Sequence, residues 1–281
     1  MGGIIWLASY PKSGNTWVRT FLHNLLINAE QPADLNELAK FTIGDGNKVW
    51  YENVSGKSYE SLAPEEAVAL IPKVQEAYVR SRPDSVFVKT HNFLGKVLDV
   101  PLITPGLTAG AVYIVRNPLD VVISLSDHYG LSLDEGIGML NDPDAYSAET
   151  NRKVQDYLGS WSDHVKSWER MEKSMCHTMR YEDMLFKPEK AFGGLAKFLG
   201  LSPPKQRLRR AIKFSSFGAL QKQEKERGFN ERSDKTKKFF RVGKAGQWKT
   251  VLNSEQIDRV VAAHSDMMAA YGYLPKRRES R

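Results

Sequence analysis

The first 26 residues combine a short apolar run, a polar loop and an apolar helical pattern, in that order. The run Ile4–Ala8 is typical of a short buried strand. The loop Tyr10–Trp17 holds a lysine, small hydroxyl side chains and one glycine. Such a strand–loop–helix unit points several backbone N–H groups and a helix N-terminus at one spot, which suits an anion such as phosphate. Apolar side chains follow at helical spacing, at Trp17, Val18, Phe21, Leu22, Leu25 and Leu26.

Lys12 adds a full positive charge to this loop. The order of residues differs from the usual phosphate loop GxxxxGK[ST], in which the lysine follows the glycine and stands beside a metal-holding Ser or Thr. Here Lys12 precedes Gly14. For this segment taken alone, an ordinary turn between a strand and a helix remains an alternative.

Three more short apolar runs predict strands, and each is followed by polar residues. They are 85–88, 111–115 and 175–179, and helical patterns lie at 118–127, 152–173, 188–199 and 254–271. This alternation predicts an α/β fold with a doubly wound parallel sheet flanked by helices. Ligands of such folds bind beyond the carboxyl ends of the strands. Lys12, His91, Arg116 and Tyr181 all follow predicted strands, so one crevice is expected to gather them.

His91 and Arg116 are the strongest single candidates at these strand ends. A neutral imidazole at His91 can take a proton from a substrate hydroxyl. Arg116 precedes a helix start with Asn117 as the expected N-cap, a position suited to gripping phosphate, and Ser124 lies two turns along that helix. A structural arginine that pairs with Asp120 is the alternative. The six histidines form no paired metal-ligand spacing, so no metal site is expected.

Composition favours one soluble domain of 281 residues in a reducing compartment. Cys176 is the single cysteine, and the chain shows neither an export signal nor a membrane-length apolar run, so a cytoplasmic protein is expected. The net charge is +7, and residues 222–249 hold ten Lys and Arg against four Asp and Glu. Nucleic acid, an anionic membrane surface or a small polyanion would fit this patch, as would a solvated basic face. Gly243 and Gly246 lie among these cations, which indicates a lid over a polyanion at 235–249.

Seven segments, in this order, resemble the sulfotransferases of the cytosolic type that use 3′-phosphoadenosine 5′-phosphosulfate (PAPS). YPKSGNTW resembles the family's 5′-phosphosulfate loop, VKTH its catalytic segment, and VRNPLDVVIS its 3′-phosphate motif. The resemblance covers nearly the entire chain. The remaining segments are GSW with the following HV and W (159–168), YEDM (181–184), SSF (215–217) and FRVGKAGQWK (240–249).

The resemblance implies a role for each matching residue. His91 is the general base, Lys12 binds the bridging oxygen of the donor, and Lys89 assists at the transferring sulfuryl group. Ser13, Gly14, Asn15 and Thr16 cradle the 5′-phosphate. Trp17 and Phe217 flank the adenine, and Ser215 belongs to the adenine segment. The 3′-phosphate is recognised by Arg116, Ser124, Tyr181, Arg241 and Gly243. PAPS is then the donor, adenosine 3′,5′-bisphosphate (PAP) the product, and no metal takes part.

Four departures from the family pattern concern the cofactor and the dimer contact. Asn15 stands for a threonine, Val242 for a clamp lysine, and Gln247 for an aspartate. The dimerisation pattern KxxxTVxxxE reads KxxxNSxxxD from Lys249, so a homodimer is possible but its contact is degenerate.

The acceptor is the part that the resemblance leaves open. Residues 31–85 and 129–157 match the family poorly and are expected to supply the acceptor pocket. A small molecule with a hydroxyl group is the expected partner, rather than nucleic acid or membrane. A nucleotide-dependent phosphotransferase and a basic nucleic-acid-binding protein are the alternative functions.

Overall fold

The computed structural model describes residues 2–275 and builds them around a five-stranded parallel sheet. The predicted one-domain range of 1–281 also includes residues 1 and 276–281, which lie outside the described part. The sheet strands are β1 Ile4–Ser9, β2 Ile43–Gly44, β3 Val86–Thr90, β6 Thr108–Val115 and β9 Cys176–Arg180. Their order is β2-β3-β1-β6-β9. The doubly wound parallel sheet predicted from the sequence is confirmed.

Thirteen α-helices and two small hairpins surround this sheet within residues 2–275. The hairpins are β4 Lys96–Val97 with β5 Val100–Pro101, and β7 Tyr146–Ser147 with β8 Asp156–Tyr157. The helices are α1 Asn15–Leu26, α2 Leu38–Phe41, α3 Lys48–Ser55, α4 Pro64–Arg80, α5 Pro118–Tyr129, α6 Leu133–Asn141, α7 Trp161–Glu169, α8 Tyr181–Phe186, α9 Pro188–Phe198, α10 Lys205–Phe214, α11 Phe217–Arg227, α12 Trp248–Val251 and α13 Ser254–Ala270. None of these helices is long and apolar enough to cross a membrane.

The helix predicted over 152–173 is wrong in its extent. Its first part instead forms β8, and the helix α7 begins only at Trp161. The reason lies between them, because Gly159 adopts a left-handed φ of 64° and the Ser160 side chain accepts the N–H of Asp163 as an N-cap. The other four helical predictions match α1, α5, α9 and α13.

Both faces of the sheet are buried, as the near-continuous apolar runs require. Trp6 and Ala8 of β1 face the larger core, which α4 to α7 and α13 complete. Leu7 points to the opposite face, where α1, α8, α9 and α10 close a second core. All three side chains are fully buried.

The chain leaves β1 toward β3 on one side of it and later returns to β6 on the other. Neighbouring connections therefore diverge next to the carboxyl end of β1, which is where ligands bind in open α/β sheets. The loop after β1, the residues after β3 and the start of α5 all meet at this edge. Residues 31–85 and 129–157 (the variable segments) fold beside it, since Asn47 before α3 bridges to Lys153 before β8.

Candidate active site

The loop after β1 is a tight turn with two left-handed residues. Lys12 has a φ of 65° and Gly14 a φ of 107°. For a lysine this backbone conformation costs about 1–2 kcal/mol, and such strain is typical of ligand-binding loops. A Cβ added at Gly14 would lie 2.9 Å from Cδ2 of Tyr181. Position 14 therefore needs glycine for both its backbone and its space, and the first N–H groups of α1 stay accessible at its N-terminus.

The side chains of this loop divide between structure and site. Asn15 Nδ2 donates to the Leu7 carbonyl at 2.7 Å, which fastens the start of α1 to β1. Trp17 packs edge-on against Tyr181, with ring centroids 5.6 Å apart. In contrast, Ser13 Oγ and Trp17 Nε1 are buried without a hydrogen-bond partner among residues 2–275. Buried polar atoms of this kind point to a ligand.

Lys12 lies at the centre of the positive charge. Its ammonium sits 4.1 Å from the centroid of the Phe239 ring, a cation–π contact that covers it with the 228–240 segment. Burial and the charges of Lys89 and Arg116 lower the pKa of Lys12 to about 8. These three cations repel one another, so an anion bound among them would be stabilised.

His91 follows β3 and has a defined tautomer. Its Nδ1 lies 2.7 Å from the Ser9 carbonyl oxygen, which can only accept a hydrogen bond. Nδ1 therefore carries the proton and Nε2 keeps a lone pair. Burial and the charge of Lys89 hold the pKa of His91 well below its usual range, so the ring is neutral at neutral pH. A neutral imidazole with a free Nε2 can act as a proton acceptor.

His164, in α7, holds the backbone of His91 in place, and the sequence predicts no role for it. Its Nε2 donates to the His91 carbonyl at 3.0 Å, and its Nδ1 accepts from the Tyr113 hydroxyl at 2.9 Å. His164 is fully buried. A histidine inside a helical pattern gives no sequence signal for such a contact, since the partner comes from a different strand.

Arg116 connects the loop after β1 with the C-terminal basic segment, residues 235–249, where its Nη2 donates to the Lys244 carbonyl at 3.5 Å. Its Nη1 donates to the Lys12 carbonyl at 2.9 Å, and its guanidinium lies 4.3 Å from the centroid of the Tyr181 ring. Its Nε is buried without a partner in the described part of the chain. Asp120 does not pair with Arg116, because its carboxylate accepts the N–H groups of Gly246 (2.6 Å) and Trp248 (3.1 Å).

The predicted lid residues lie over the start of α5 and α11. Arg241 Nε is 3.8 Å from Asp127, one turn beyond the half-buried Ser124. Gly243, with a φ of 63°, rests on Phe217 so closely that a Cβ would come within 2.2 Å of the ring. Glu224 accepts the N–H groups of Phe239 and Phe240 at 2.6 and 2.9 Å.

Ser215, which the resemblance places in the adenine segment, lies at the end of α10. Ser215 is fully buried, and its hydroxyl donates to the Ala211 carbonyl at 2.9 Å inside α10. This side chain is therefore committed to the end of α10. Ser216 caps α11 by accepting the N–H of Ala219, so the two serines together fix the position of Phe217.

The sequence predicts no role for three other side chains at this site, Glu231, Arg19 and His128. Glu231 lies 3.3 Å from the predicted Lys89 and also pairs with the buried Arg19. His128 in α5 has its pKa lowered to about 3 by burial and by the charges of Lys12, Lys89 and Lys153. Its Nδ1 is buried without a partner within the described residues. Only the folded chain brings these residues together, because their spacing along the sequence is irregular.

A cavity of about 190 Å³ lies next to this edge of the sheet. The variable segments line it with Tyr51, Tyr59, Val68, Ile71 and Tyr157, and Asn92 joins it to the end of β3. At its rim Lys48 pairs with Glu60 (2.7 Å) and Glu149 (2.6 Å).

The residues present fit a phosphorylated adenine nucleotide. Three cations surround a helix N-terminus, three buried polar atoms of the loop lack partners among the described residues, and aromatic rings lie at the edge of the site. Such a site binds anions through fixed donors and charge. Among residues 2–275 no group of three or more His, Cys, Asp and Glu is placed to hold a metal ion.

Comparison with known proteins agrees with this geometry. Residues 4–272 match the model of the Sulfotransferase domain family. Sulfotransferase 2B1 of Homo sapiens is 26% identical over 276 residues, which cover 91% of this chain and 64% of that protein. Sulfotransferase 1A1 of Canis lupus familiaris is 25% identical over 275 residues, with 95% of this chain and 83% of that protein covered.

Two solved structures share the fold. Retinol dehydratase in complex with androsterone and inactive cofactor PAP superimposes with a TM-score of 0.68, at 20% identity over 98% of this chain and 82% of that one. Mouse sulfotransferase SULT7A1 complexed with PAP gives a TM-score of 0.62, at 19% identity over 95% and 84%. Since the family match extends over nearly all of the described residues, the chain belongs to the sulfotransferase family and is a PAPS-dependent sulfotransferase.

Proposed function

We propose that this protein transfers the sulfuryl group of PAPS to a hydroxyl of a small apolar molecule, with His91 as the general base. The observation that carries the proposal is the Nδ1–H bond of His91 to the Ser9 carbonyl at 2.7 Å. It leaves the lone pair of Nε2 free, near the charge of Lys89. A hydroxyl is a poor nucleophile until its proton is removed, so a fixed acceptor at this point supports transfer to oxygen.

The chain's own residues would bind and orient the donor by charge. Lys12, Ser13, Gly14 and the first N–H groups of α1, from Asn15 and Thr16, suit the 5′-phosphate. PAPS supplies the sulfuryl group, whose departure leaves negative charge on that phosphate. Lys12 and Lys89 would hold this charge without any movement of the protein, which is how preorganised sites lower a barrier.

The other half of the nucleotide would lie toward α5 and the lid. Arg116 offers the unpartnered Nε, and Arg241 approaches the same side from the basic segment. Ser124, Tyr181 and Gly243 complete the proposed 3′-phosphate surroundings. Trp17 and Phe217 would flank the adenine, and both side chains are half-buried.

The acceptor would occupy the cavity between the variable segments. Its volume of about 190 Å³ is close to that of a cavity that holds one aromatic ring. Three tyrosines and six aliphatic side chains are among the residues that line it, so a phenol or a similar single-ring alcohol fits better than a sugar. Retinol dehydratase has been solved in complex with androsterone and with retinol, and both molecules are largely apolar.

The test of the reaction is transfer of labelled sulfuryl from PAPS to a library of phenols, alcohols, sugars and amines. His91→Ala should retain PAP affinity while turnover falls by roughly 10²-fold or more, the usual loss for a general base. Near-wild-type turnover in this variant would remove His91 from the mechanism. Nucleotide titration with and without EDTA, and filter binding to RNA at several salt concentrations, separate the phosphotransferase and nucleic-acid alternatives.

The test of the acceptor site is a filled cavity. Val68→Phe should raise the acceptor KM or abolish transfer to phenols, because the added ring occupies the space that the acceptor needs. Affinity for PAP should stay unchanged. Exposed Val251 provides the matched control, Val251→Phe, since it lies away from the cavity. Equal KM values for wild type and Val68→Phe would place the acceptor elsewhere.

A further inference from the structure

Arg19 is a buried arginine one turn into α1, directly behind the anion-binding loop. Only 2% of the residue is exposed. Its two Nη atoms each lie 2.8 Å from one oxygen of Glu231, and its Nε donates to Thr42 Oγ1 at 2.8 Å. All its donor nitrogens thus have partners, in the bidentate geometry that makes an arginine–carboxylate pair strong.

Glu231 has a second cation. Its Oε2 lies 3.3 Å from Lys89 Nζ, so one carboxylate bridges α1 and the end of β3. Glu231 comes from the 228–240 segment, more than 140 residues after Lys89 along the chain. That segment also places Phe239 over Lys12. The contact therefore links the lysine at the proposed transfer point to the part of the chain that covers the cofactor site.

We propose that Glu231, held in place by Arg19, is a positioning residue for Lys89 in sulfuryl transfer. The inference rests on the proposed function, since it needs Lys89 at the sulfuryl group. An ammonium has three N–H donors. One of them points to Glu231, and the anchored carboxylate fixes the direction of the other two. A flexible lysine stem would otherwise distribute them over many rotamers.

Charge supports the same assignment. Burial lowers the pKa of Lys89, and Glu231 opposes this decrease. Lys89 and Arg19 in turn hold the pKa of Glu231 well below its usual range, so the carboxylate is ionised whenever the protein is folded near neutral pH. Four other charged groups act on the pKa of Lys89: Glu231 from the 228–240 segment, Arg19 from α1, and Lys153 and Asp156 from the β8 region. The charge of Lys89 in turn lowers the pKa values of Lys12, His91 and His128.

Removal of the Glu231 charge should change the pH dependence of turnover in one direction. A protonated Lys89 is the form that can stabilise developing negative charge. Removing the Glu231 charge lowers the pKa of Lys89 further, because an opposite charge within 4–6 Å shifts a pKa by one unit or more. The alkaline limb of turnover should therefore move to lower pH.

The experiment compares Glu231→Gln with wild type in steady-state sulfuryl transfer across pH, with PAP affinity measured by calorimetry. We expect kcat to fall roughly 10- to 100-fold, as for a misplaced catalytic group, and the alkaline limb to shift down by about one pH unit. The acceptor KM should not change. Glu226→Gln is the control, because Glu226 forms an exposed pair with Lys222 in α11 and touches no site residue.

A double-mutant cycle decides whether Glu231 acts through Lys89. In a Lys89→Met background, Glu231→Gln should cause no further loss of kcat. Additive losses of kcat in the double variant would overturn the proposal. Two results for Glu231→Gln alone would also overturn it: a wild-type kcat with an unchanged alkaline limb, or tighter PAP binding with faster turnover. If Glu231→Gln lowers the folded fraction, Glu231→Asp carries the test: it keeps the charge, so its alkaline limb must stay at the wild-type pH. A wild type that transfers no sulfuryl group at any pH would instead refute the proposed function.

Discussion

Arg116 makes contacts on two sides of the site, which makes it the most informative cation for nucleotide recognition. One Nη atom holds the Lys12 carbonyl, and the buried Nε has no partner in residues 2–275. A 3′-phosphate would meet this free donor. Arg116→Ala should weaken PAP binding by about 2–5 kcal/mol, as expected for truncating a buried charge partner. Adenosine 5′-monophosphate should lose less, through the loosened Lys12 loop alone.

Calorimetry with both nucleotides tests this prediction. The matched control is Arg209→Ala, since Arg209 pairs with Glu189 on the surface and should leave both affinities unchanged. Equal losses for PAP and for adenosine 5′-monophosphate would show that Arg116 organises the loop but does not read the 3′-phosphate.

Asp45 gives a stability prediction with the opposite sign from most carboxylates. It is 5% exposed and accepts from Thr90 Oγ1 (2.9 Å) and Asn92 Nδ2 (3.0 Å). Burial nevertheless raises the pKa of Asp45 from 3.8 to about 6. The folded state therefore keeps its proton longer than the unfolded state, so this group's contribution to stability falls as pH rises from about 4 to 6.

Asp45→Asn should remove that pH dependence. Relative to wild type, its free energy of unfolding should increase between pH 4 and 7.5 by up to about 3 kcal/mol, because one pKa unit corresponds to about 1.4 kcal/mol. Urea unfolding at both pH values measures the difference, with Asp258→Asn on the exposed face of α13 as control. A difference that is the same at both pH values would contradict the raised pKa.

Asp120 links α5 to the basic segment 235–249 through two hydrogen bonds to backbone N–H groups. Its two oxygens accept the N–H groups of Gly246 and Trp248, and it is 1% exposed. Asp120→Ala leaves both N–H groups without a partner. We expect a loss of about 1–3 kcal/mol in the free energy of unfolding and faster amide exchange at 244–249. Asp134→Asn, which affects an exposed pair with Arg259, should do neither. Unchanged exchange in Asp120→Ala would mean that α12 holds this segment by other contacts.

The elements that the sequence predicted are those whose signal is local. β1, α1 and α5 each contain a run or a regular spacing of apolar residues next to a loop or a helix cap. All of this signal lies in neighbouring residues of the sequence. β2 has two residues, too few for a period, and it forms because β3 offers an open edge. α4 contains Pro72, which argues against a helix in sequence, yet packing of Val68, Val74 and Tyr78 on the core outweighs this cost.

The residues of the site could likewise be predicted only where they directly follow a predicted strand. Lys12, His91 and Arg116 follow strands that end at one edge, so topology alone brings them together. Glu231, Arg19 and His164 are absent from any such pattern, since each acts through a partner that is distant along the chain. Local hydrogen bonding is equally hidden from the sequence, since the resemblance places Ser215 in the adenine segment but does not reveal that its hydroxyl donates within α10.

Closure of the 235–249 segment is the prediction that involves the entire chain. Phe239 covers Lys12, Glu224 and Gln221 tie residues 239–240 to α11, and Arg241 faces Asp127 of α5. The segment and the site are both cationic, which opposes their approach until an anion lies between them. A ligand that binds only the closed arrangement lowers the population of open states by its differential affinity. Amide exchange across 235–249 should therefore slow when PAP is added, while α13 serves as an internal reference.

Arg241→Ala sharpens this prediction because Val242 stands where the resemblance to the family implies a clamp lysine. With that cation missing, we expect Arg241 to carry more of the contact to the 3′-phosphate, so its removal should reduce the slowing of exchange at matched PAP saturation. Lys237→Ala, an exposed cation of the same segment, is the control for net charge. If exchange in 235–249 is identical with and without saturating PAP, the segment does not close over the nucleotide. If both variants reduce the slowing equally, general charge attraction holds the segment rather than a specific contact of Arg241.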